Sequence, residues 1–215
     1  MANQLLFRIL IISSFLFGIK STSANPALDK NVQKSALLFM ENIGQVTDQY
    51  SNTREDIDFR LKAGNGLNIF IGAGQIHYQW AKSNTSKKAK TFKIEQQNEE
   101  PDLVDPFQMY RMDVQLIGAD PNAKIIKEEK QNFFERYYLP SVKNEGGKSY
   151  SYKRITYKNV YDHIDWVFYF NENGLMEHDF IVNPGGKVSD IKIQYTGASN
   201  LELTKNGQLS IVCII

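Results

Sequence analysis

The sequence contains almost no cysteine and has little net charge. Its one cysteine is Cys213, so no disulfide can form within the chain, and a hydrophobic core must hold the fold together. The formal net charge of +1 argues against nucleic acid or an anionic membrane as a partner. After residue 24 no apolar run approaches the length that spans a bilayer. We therefore expect no transmembrane anchor in the mature chain.

The motifs of common catalytic sites are also missing. The sequence has no Gly-x-Ser-x-Gly elbow, no phosphate-binding glycine loop and no His-Glu-x-x-His pair. Cys213 lies in an apolar tail, where a reactive thiolate is not expected. The three histidines lack the spacing of metal ligands. The sequence thus predicts a protein that is not an enzyme, with no catalytic residue, no cofactor and no metal site.

The N-terminus has the pattern of an export signal. Arg8 precedes an apolar run over residues 9–19, and the small residues Thr22 and Ala24 follow at the position of a cleavage site. We interpret residues 1–24 as a signal peptide, which predicts export to the periplasm, the outer surface or the medium. Residues 25–35 are predicted to be a linker.

Residues 36–215 have the pattern of one all-β domain. Short runs of β-branched and aromatic residues alternate with glycine and asparagine. Three loops, at residues 64–66, 172–174 and 205–207, each end in Asn-Gly and fit three-residue hairpin loops. Together these features predict an antiparallel β-sandwich built of hairpins.

Successive side chains of a strand point to opposite faces of the sheet, and this alternation fixes the expected register of each hairpin. A three-residue loop pairs Ala63 with Leu67 in the first hairpin and Leu203 with Leu209 in the last. In the middle hairpin the expected pairs form one apolar face: Phe170 with Met176, Phe168 with His178, Trp166 with Phe180, and Ile164 with Val182.

The remaining strands are predicted over residues 74–80, 110–117, 148–157 and 191–196, which gives about nine in all. Residues 81–106, rich in lysine and then in acidic residues, are expected to form a long solvated loop, with a short strand at residues 90–95. A weak helix signal covers residues 32–41.

The second face of the middle hairpin carries the candidate binding residues Asp165, Tyr169, Glu177 and Asp179. Carboxylates at this spacing suit acid/base chemistry on glycosides or a hard cation such as calcium. The competing interpretation is a solvated sheet face whose charges keep the domain soluble.

Two of the histidines are predicted to lie on different kinds of sheet face, one apolar and one exposed to solvent. His178 falls on the apolar face beside Met176 and Phe180, which predicts a core histidine with one hydrogen bond. His77 shares its parity with Gln75 and Gln79 and is expected to face solvent.

Aromatic residues make up 12% of the chain. Tyr150, Tyr152 and Tyr157, or Trp80 with Tyr78, are candidates for a platform that stacks on sugar rings or protein partners. Core packing is the alternative for each of them.

Several segments resemble a known family. They are FMENIGQ (39–45), RMD (111–113), GADPNA (118–123), YYL (137–139), YKNVY (157–161), ID (164–165), GLMEHDF (174–180), VNPG (182–185) and IKIQYTGA (191–198). In order and spacing they are similar to the N-terminal domain of unknown function of secreted, Bacteroidota-type surface proteins. In those proteins it often precedes SBBP-type β-propeller repeats or a gliding-motility-associated C-terminal region.

The resemblance implies an exported surface module of a larger cell-envelope or secreted protein, with a protein or glycan partner and no established catalytic residue. The runner-up is a carbohydrate-binding or carbohydrate-processing domain. The chain departs from the family pattern at His178, where tyrosine is usual, and at Ile43, where lysine is usual. Relatives continue past the strand at residues 209–215, so we expect the domain to be incomplete at its C-terminus.

Overall fold

The computed structural model describes residues 37–64, 66–83, 107–142 and 146–213, and it is nearly all β-structure. A 3-10 turn at Val188–Asp190 interrupts a succession of antiparallel strands. The strands are β1 (Phe39–Glu41), β2 (Phe59–Gly64), β3 (Leu67–Gly72), β4 (Gln75–Ser83), β5 (Phe107–Leu116), β6 (Lys124–Glu128), β7 (Phe134–Tyr137), β8 (Gly147–Tyr152), β9 (Arg154–Tyr161), β10 (Ile164–Phe170), β11 (Met176–Val182), β12 (Ile193–Thr196), β13 (Asn200–Leu203) and β14 (Leu209–Val212).

These strands form two packed sheets and a separate hairpin. The large sheet has eight strands in the order β12-β5-β4-β3-β2-β1-β8-β7. The small sheet has four strands in the order β11-β10-β9-β6, and β13 pairs with β14 alone. This arrangement confirms the predicted all-β, antiparallel, sandwich-like fold.

The core lies between the two sheets and is rich in aromatic side chains. Phe39 of β1 meets Phe168 of β10 edge to face, with ring centroids 6.3 Å apart. Trp166 is fully buried and stacks on Phe180 at 5.7 Å. Each large aromatic buries about 150–250 Å² of surface, so this layer supplies much of the stability.

The predicted hairpin registers hold except at one pair. All four pairs of the middle hairpin are confirmed, and so is the pair of Leu203 with Leu209. The first hairpin departs beside its loop, where Leu67 pairs with Gly64 rather than Ala63. A bulge between Lys62 and Gly64 shifts the register there, and Gly64 adopts a φ of 80° that suits glycine.

Several predicted element boundaries are wrong. The strand expected over residues 148–157 is two strands, since β8 joins the large sheet and β9 joins the small sheet. Residues 81–83 continue β4 instead of starting a loop, and Phe39–Glu41 is a strand rather than a helix. The short strand proposed at residues 90–95 lies outside the described residues, as do residues 32–36.

The burial of the aromatic side chains shows whether they are available to form the proposed platforms. Trp80, Tyr152 and Tyr157 are buried in the core, whereas Tyr78 and Tyr150 are half-buried. Core packing is therefore the main use of these rings. Within the described ranges, no helix has the length and apolar character needed to cross a membrane.

Candidate functional site

The four predicted binding residues lie on the outer face of the small sheet, as their alternation along the strands predicts. The other interpretation was that this face is solvated, but two of its carboxylates are buried. Asp165 is 2% exposed and Asp179 is 9% exposed. Val167, the cross-strand partner of Asp179, is also buried. Two side chains of β9 cover part of the face, since Lys158 pairs with Asp165 and Arg154 lies over the Tyr169 ring.

Asp165 is engaged by three protein groups. Lys158 pairs with its Oδ2, the backbone amide of Asn159 donates to Oδ1 at 2.8 Å, and Asn183 donates to Oδ2 at 3.2 Å. Asn159 has a φ of 53° and lies at the bulge where β9 shifts register against β10. The carboxylate thus holds an irregular piece of backbone in place.

Tyr169, Glu177 and Asp179 form a separate cluster. The Tyr169 hydroxyl donates to Asp179 at 2.9 Å, and Asn171 donates to Glu177 at 2.6 Å. Burial, together with the hydrogen bond to the Asp179 carboxylate, raises the pKa of Tyr169. The structure therefore brings together three of the four predicted residues and leaves Asp165 apart. Their polar contacts are internal and occupy oxygen atoms that a ligand would need.

His178 occupies the predicted environment. It lies between Trp166 and Phe180, and the indole Nε1 of Trp166 donates to its Nδ1 at 3.1 Å. Burial lowers the pKa of His178 to about 4, so the ring is neutral at pH 7. The prediction of a core histidine with one hydrogen bond is confirmed.

The prediction that His77 faces solvent is wrong, because His77 is only 9% exposed. It does lie on the outer face of the large sheet, directly opposite Phe70 of β3 and Asp113 of β5. The loop between β1 and β2 covers this part of the sheet.

Asn42 builds that covering loop. Its amide nitrogen donates to the carbonyls of Arg54 and Ile57, and its side-chain oxygen accepts from the amides of Gly44 and Val46. One side chain therefore joins both ends of the loop, in a segment (residues 39–45) on which the family resemblance rests.

A cavity of about 290 Å³ remains between this loop and the sheet. Its walls combine apolar, charged and amide side chains. The lining residues are Val46, Thr47, Asp48, Gln49, Arg54, Ile57, Phe70, His77, Gln79 and Arg111.

The contacts of His77 define its tautomer. Its Nδ1 lies 2.6 Å from Oδ1 of Asp113, and the same oxygen accepts from Nε of Arg111 at 2.6 Å. Burial opposes the charge on Asp113, but the hydrogen bonds from Arg111 and His77 prevail and hold the pKa of Asp113 below its ordinary value. Nη2 of Arg111, a donor, also lies 3.0 Å from Nδ1. We place the His77 proton on Nδ1 because the carboxylate oxygen is nearer and can only accept.

The other ring nitrogen of His77 is therefore an acceptor. Burial lowers the pKa of His77 despite the pull of Asp113. Nε2 is buried and has no hydrogen-bond partner among the residues that the structure describes. Nε2 is thus a buried acceptor without a partner in the described part of the chain, out of reach of solvent.

A second unusual surface lies at the end of the large sheet. Phe134 and Arg136 of β7 face Tyr150 and Lys148 of β8 on the same side of the sheet. Lys148 Nζ lies 4.6 Å from the centre of the Phe134 ring, and Lys130 Nζ lies 3.3 Å from that of Tyr150. We call these five residues the cationic edge.

No ion pair within the described residues compensates the charges of the cationic edge. In the part of the chain that the structure describes, no carboxylate forms an ion pair with Lys130, Arg136 or Lys148. Sequence reasoning missed this surface because it did not identify β7, although it did single out Tyr150.

A family model described as a domain of unknown function, DUF7948, matches residues 39–214. No curated protein and no solved structure matches the chain.

Proposed function

The chain belongs to the DUF7948 family of domains of unknown function, and from the geometry of its surface we propose that it is an exported, non-catalytic interaction module. It acts within a larger cell-envelope or secreted protein and binds an acidic protein segment through the cationic edge. Export rests on the signal-peptide pattern of residues 1–24.

One observation carries this proposal. Arg136 and Lys148 are direct cross-strand partners, and like charges in that position destabilise a sheet. Locally destabilising arrangements of this kind are expected at functional sites, where binding compensates for their cost in stability. Both side chains are exposed, so an acidic partner can offset the repulsion.

A polypeptide fits this edge better than a sugar does. The cations already lie over the rings of Phe134 and Tyr150, which leaves less ring face for stacking on a sugar. β7 is the last strand of its sheet, so an extended peptide can pair with it through backbone hydrogen bonds. Tyr138, 69% exposed, offers an apolar contact beside the strand.

The contacts of the predicted residues support the non-catalytic part of this proposal. The carboxylates of Asp165, Glu177 and Asp179 accept hydrogen bonds from protein groups. This engagement also weakens the alternative of a carbohydrate site on that face.

Binding of a labelled peptide of alternating glutamate and valine tests the partner. We expect binding that weakens with salt and falls about tenfold in the Arg136→Ala/Lys148→Ala double variant. The matched control is Lys187→Ala/Lys205→Ala, which removes two exposed lysines elsewhere. Stability of the first double variant should be equal or higher, because a like-charge pair is lost.

Two results would overturn the assignment of the partner. One is equal affinity of both double variants for the acidic peptide. The other is binding of polygalacturonate without binding of the peptide, which would point to an acidic glycan. Export is tested separately by the intact mass of the product released from a bacterial host, which should correspond to cleavage after Ala24.

A further inference from the structure

We propose that the cationic edge selects an extended strand with an acidic residue at every second position, and that Glu135 of β7 disfavours strands that are acidic throughout. The selection rests on the proposed function, because it takes place at the same edge. It limits the partner to strands of alternating pattern and makes Glu135 a residue that determines specificity.

Strand β7 can accept a further strand on one side. It pairs with β8 over Phe134–Tyr137 and is the last strand of the large sheet. In an antiparallel pair every second residue directs its N–H and C=O to the partner strand, and the residues between them direct theirs to the open side. A peptide that pairs there continues the alternation of the sheet, so each of its side chains shares a face with the β7 residue opposite.

One face of this edge can attract two acidic side chains of the peptide. Arg136 lies on that face, and its Nη1 donates to the Gly146 carbonyl at 3.3 Å, which leaves Nε and Nη2 as donors for a ligand. Lys148 Nζ lies 4.6 Å from the centre of the Phe134 ring, so the ammonium group leans from β8 towards β7. The peptide residues opposite Arg136 and opposite Phe134 are two positions apart, and each therefore lies beside a cation.

The other face of the edge disfavours an acidic side chain. Glu135 and Tyr137 lie on this face, and the Tyr137 hydroxyl donates to Oε2 of Glu135 at 2.7 Å. Burial, together with the Glu135 carboxylate, raises the pKa of Tyr137 to about 12, so the hydroxyl remains a donor at pH 7. No cation forms an ion pair with Glu135 in the described part of the chain. An acidic residue opposite Glu135 meets a like charge, which destabilises a cross-strand pair.

The two faces together define the pattern of the partner. The best strand has acidic residues opposite Arg136 and Phe134, with a neutral residue between them opposite Glu135. A run of consecutive acidic residues loses part of this advantage, because one of its carboxylates faces Glu135. The edge therefore fits an amphipathic β-strand better than it fits a polyacidic tail.

A second copy of the chain does not fit the edge. Antiparallel pairing of two β7 strands about a twofold axis at the middle of the strand sets Glu135 against Glu135 or Arg136 against Arg136. Both arrangements place like charges opposite each other. Charged side chains commonly protect edge strands from pairing of this kind. The same charges that oppose a second copy favour a strand of complementary pattern.

Three peptides of equal length test the pattern on the full chain. They are alternating glutamate and valine, a repeat of Glu-Glu-Val-Val, and polyglutamate. The first two have the same composition and charge, but only the alternating peptide can place glutamate opposite both Arg136 and Phe134. We expect it to bind about fivefold more tightly than the Glu-Glu-Val-Val peptide. Its binding should also slow hydrogen exchange at the β7 amides that face the open side.

Glu135→Gln is the decisive variant, because its amide oxygen can still accept from Tyr137 while the charge is lost. We expect its affinity for polyglutamate to rise about threefold, with a smaller change for the alternating peptide. Glu172→Gln is the matched control, since it removes an exposed carboxylate from the loop between β10 and β11. This control should keep the wild-type ratio of the two affinities.

Two outcomes would overturn the selection. One is equal affinity of the wild type for the alternating and Glu-Glu-Val-Val peptides, a comparison that needs no variant to fold. The other is the same affinity for polyglutamate in Glu135→Gln and Glu172→Gln. If Arg136→Ala/Lys148→Ala still loses peptide binding in either case, the cationic edge stands as an acidic-peptide site without strand selection. Unchanged binding in that double variant would overturn the edge itself.

Discussion

His178 and His77 are the two histidines withdrawn from solvent, and each has a pKa below the ordinary value of about 6.5. They differ in hydrogen bonding. His178 accepts from Trp166 inside the aromatic core, whereas Nε2 of His77 lacks a partner among the described residues. The first is therefore a satisfied core group, and the second is a buried acceptor beneath the covering loop.

His178 makes stability depend on pH. Its pKa is about 4 in the folded state and near 6.5 when unfolded, so the unfolded chain binds more protons between these values. The contribution is complete above pH 6.5 and is lost as the pH falls toward 4, by about 3 kcal/mol. Urea unfolding across this range should show a shallower dependence for His178→Gln, whose amide oxygen can still accept from Trp166. His163→Asn should keep the full dependence, and identical curves for wild type and His178→Gln would contradict the assignment.

Asn42 should be the most sensitive polar residue of the covering loop. Alanine at this position leaves two amides and two carbonyls without their side-chain partner. We expect Asn42→Ala to lower the free energy of unfolding by about 3 kcal/mol, measured by urea denaturation. Asn122→Ala is the control, because Asn122 is exposed and its loss should cost at most about 0.5 kcal/mol. Equal effects of the two variants would show that the loop does not depend on Asn42.

At the scale of the strand pair, the sequence was a good guide wherever a loop and an alternating pattern acted together. The middle hairpin has all four predicted pairs because its three-residue loop and its apolar face require the same register. The continuous β-pattern of residues 148–157 gave no sign that the chain changes sheet at Lys153. Strand β7 was missed because its sequence, Phe-Glu-Arg-Tyr, does not alternate and no Asn-Gly loop adjoins it.

The bulge of β9 is held by the carboxylate of Asp165. Removing this carboxylate therefore tests whether its role is structural or ligand binding. Asp165→Ala removes the acceptor of the Asn159 amide. We expect a loss of about 3 kcal/mol of stability and faster hydrogen exchange at that amide. Glu177→Ala is the matched control on the neighbouring strand, with an expected loss below about 1 kcal/mol. Unchanged exchange at Asn159 in Asp165→Ala would show that the bulge holds without the carboxylate.

For the whole molecule, the class of fold could be predicted and the order of its strands could not. Period-2 patterns report which side chains share a face, but not which distant strands become neighbours. Phe39 pairs with Tyr152, more than a hundred residues away, and β12 returns to pair with β5. The cavity over His77 arises from such long-range contacts, because the loop between β1 and β2 covers residues of β4 and β5. Parity alone therefore placed His77 in solvent.

The two sheets should unfold as one unit, because they share a single aromatic core. The two tryptophans allow a direct test, since Trp80 lies in the large sheet and Trp166 in the small sheet. Trp166→Phe leaves fluorescence only from the large sheet, and Trp80→Phe leaves it only from the small sheet. Within each variant we expect the fluorescence and far-UV circular dichroism midpoints in urea to coincide. Comparison within one variant removes the effect of the substitution on stability. A fluorescence transition displaced from the dichroism transition would show that one sheet unfolds first, and that contacts such as Phe39 on Phe168 do not couple the two layers.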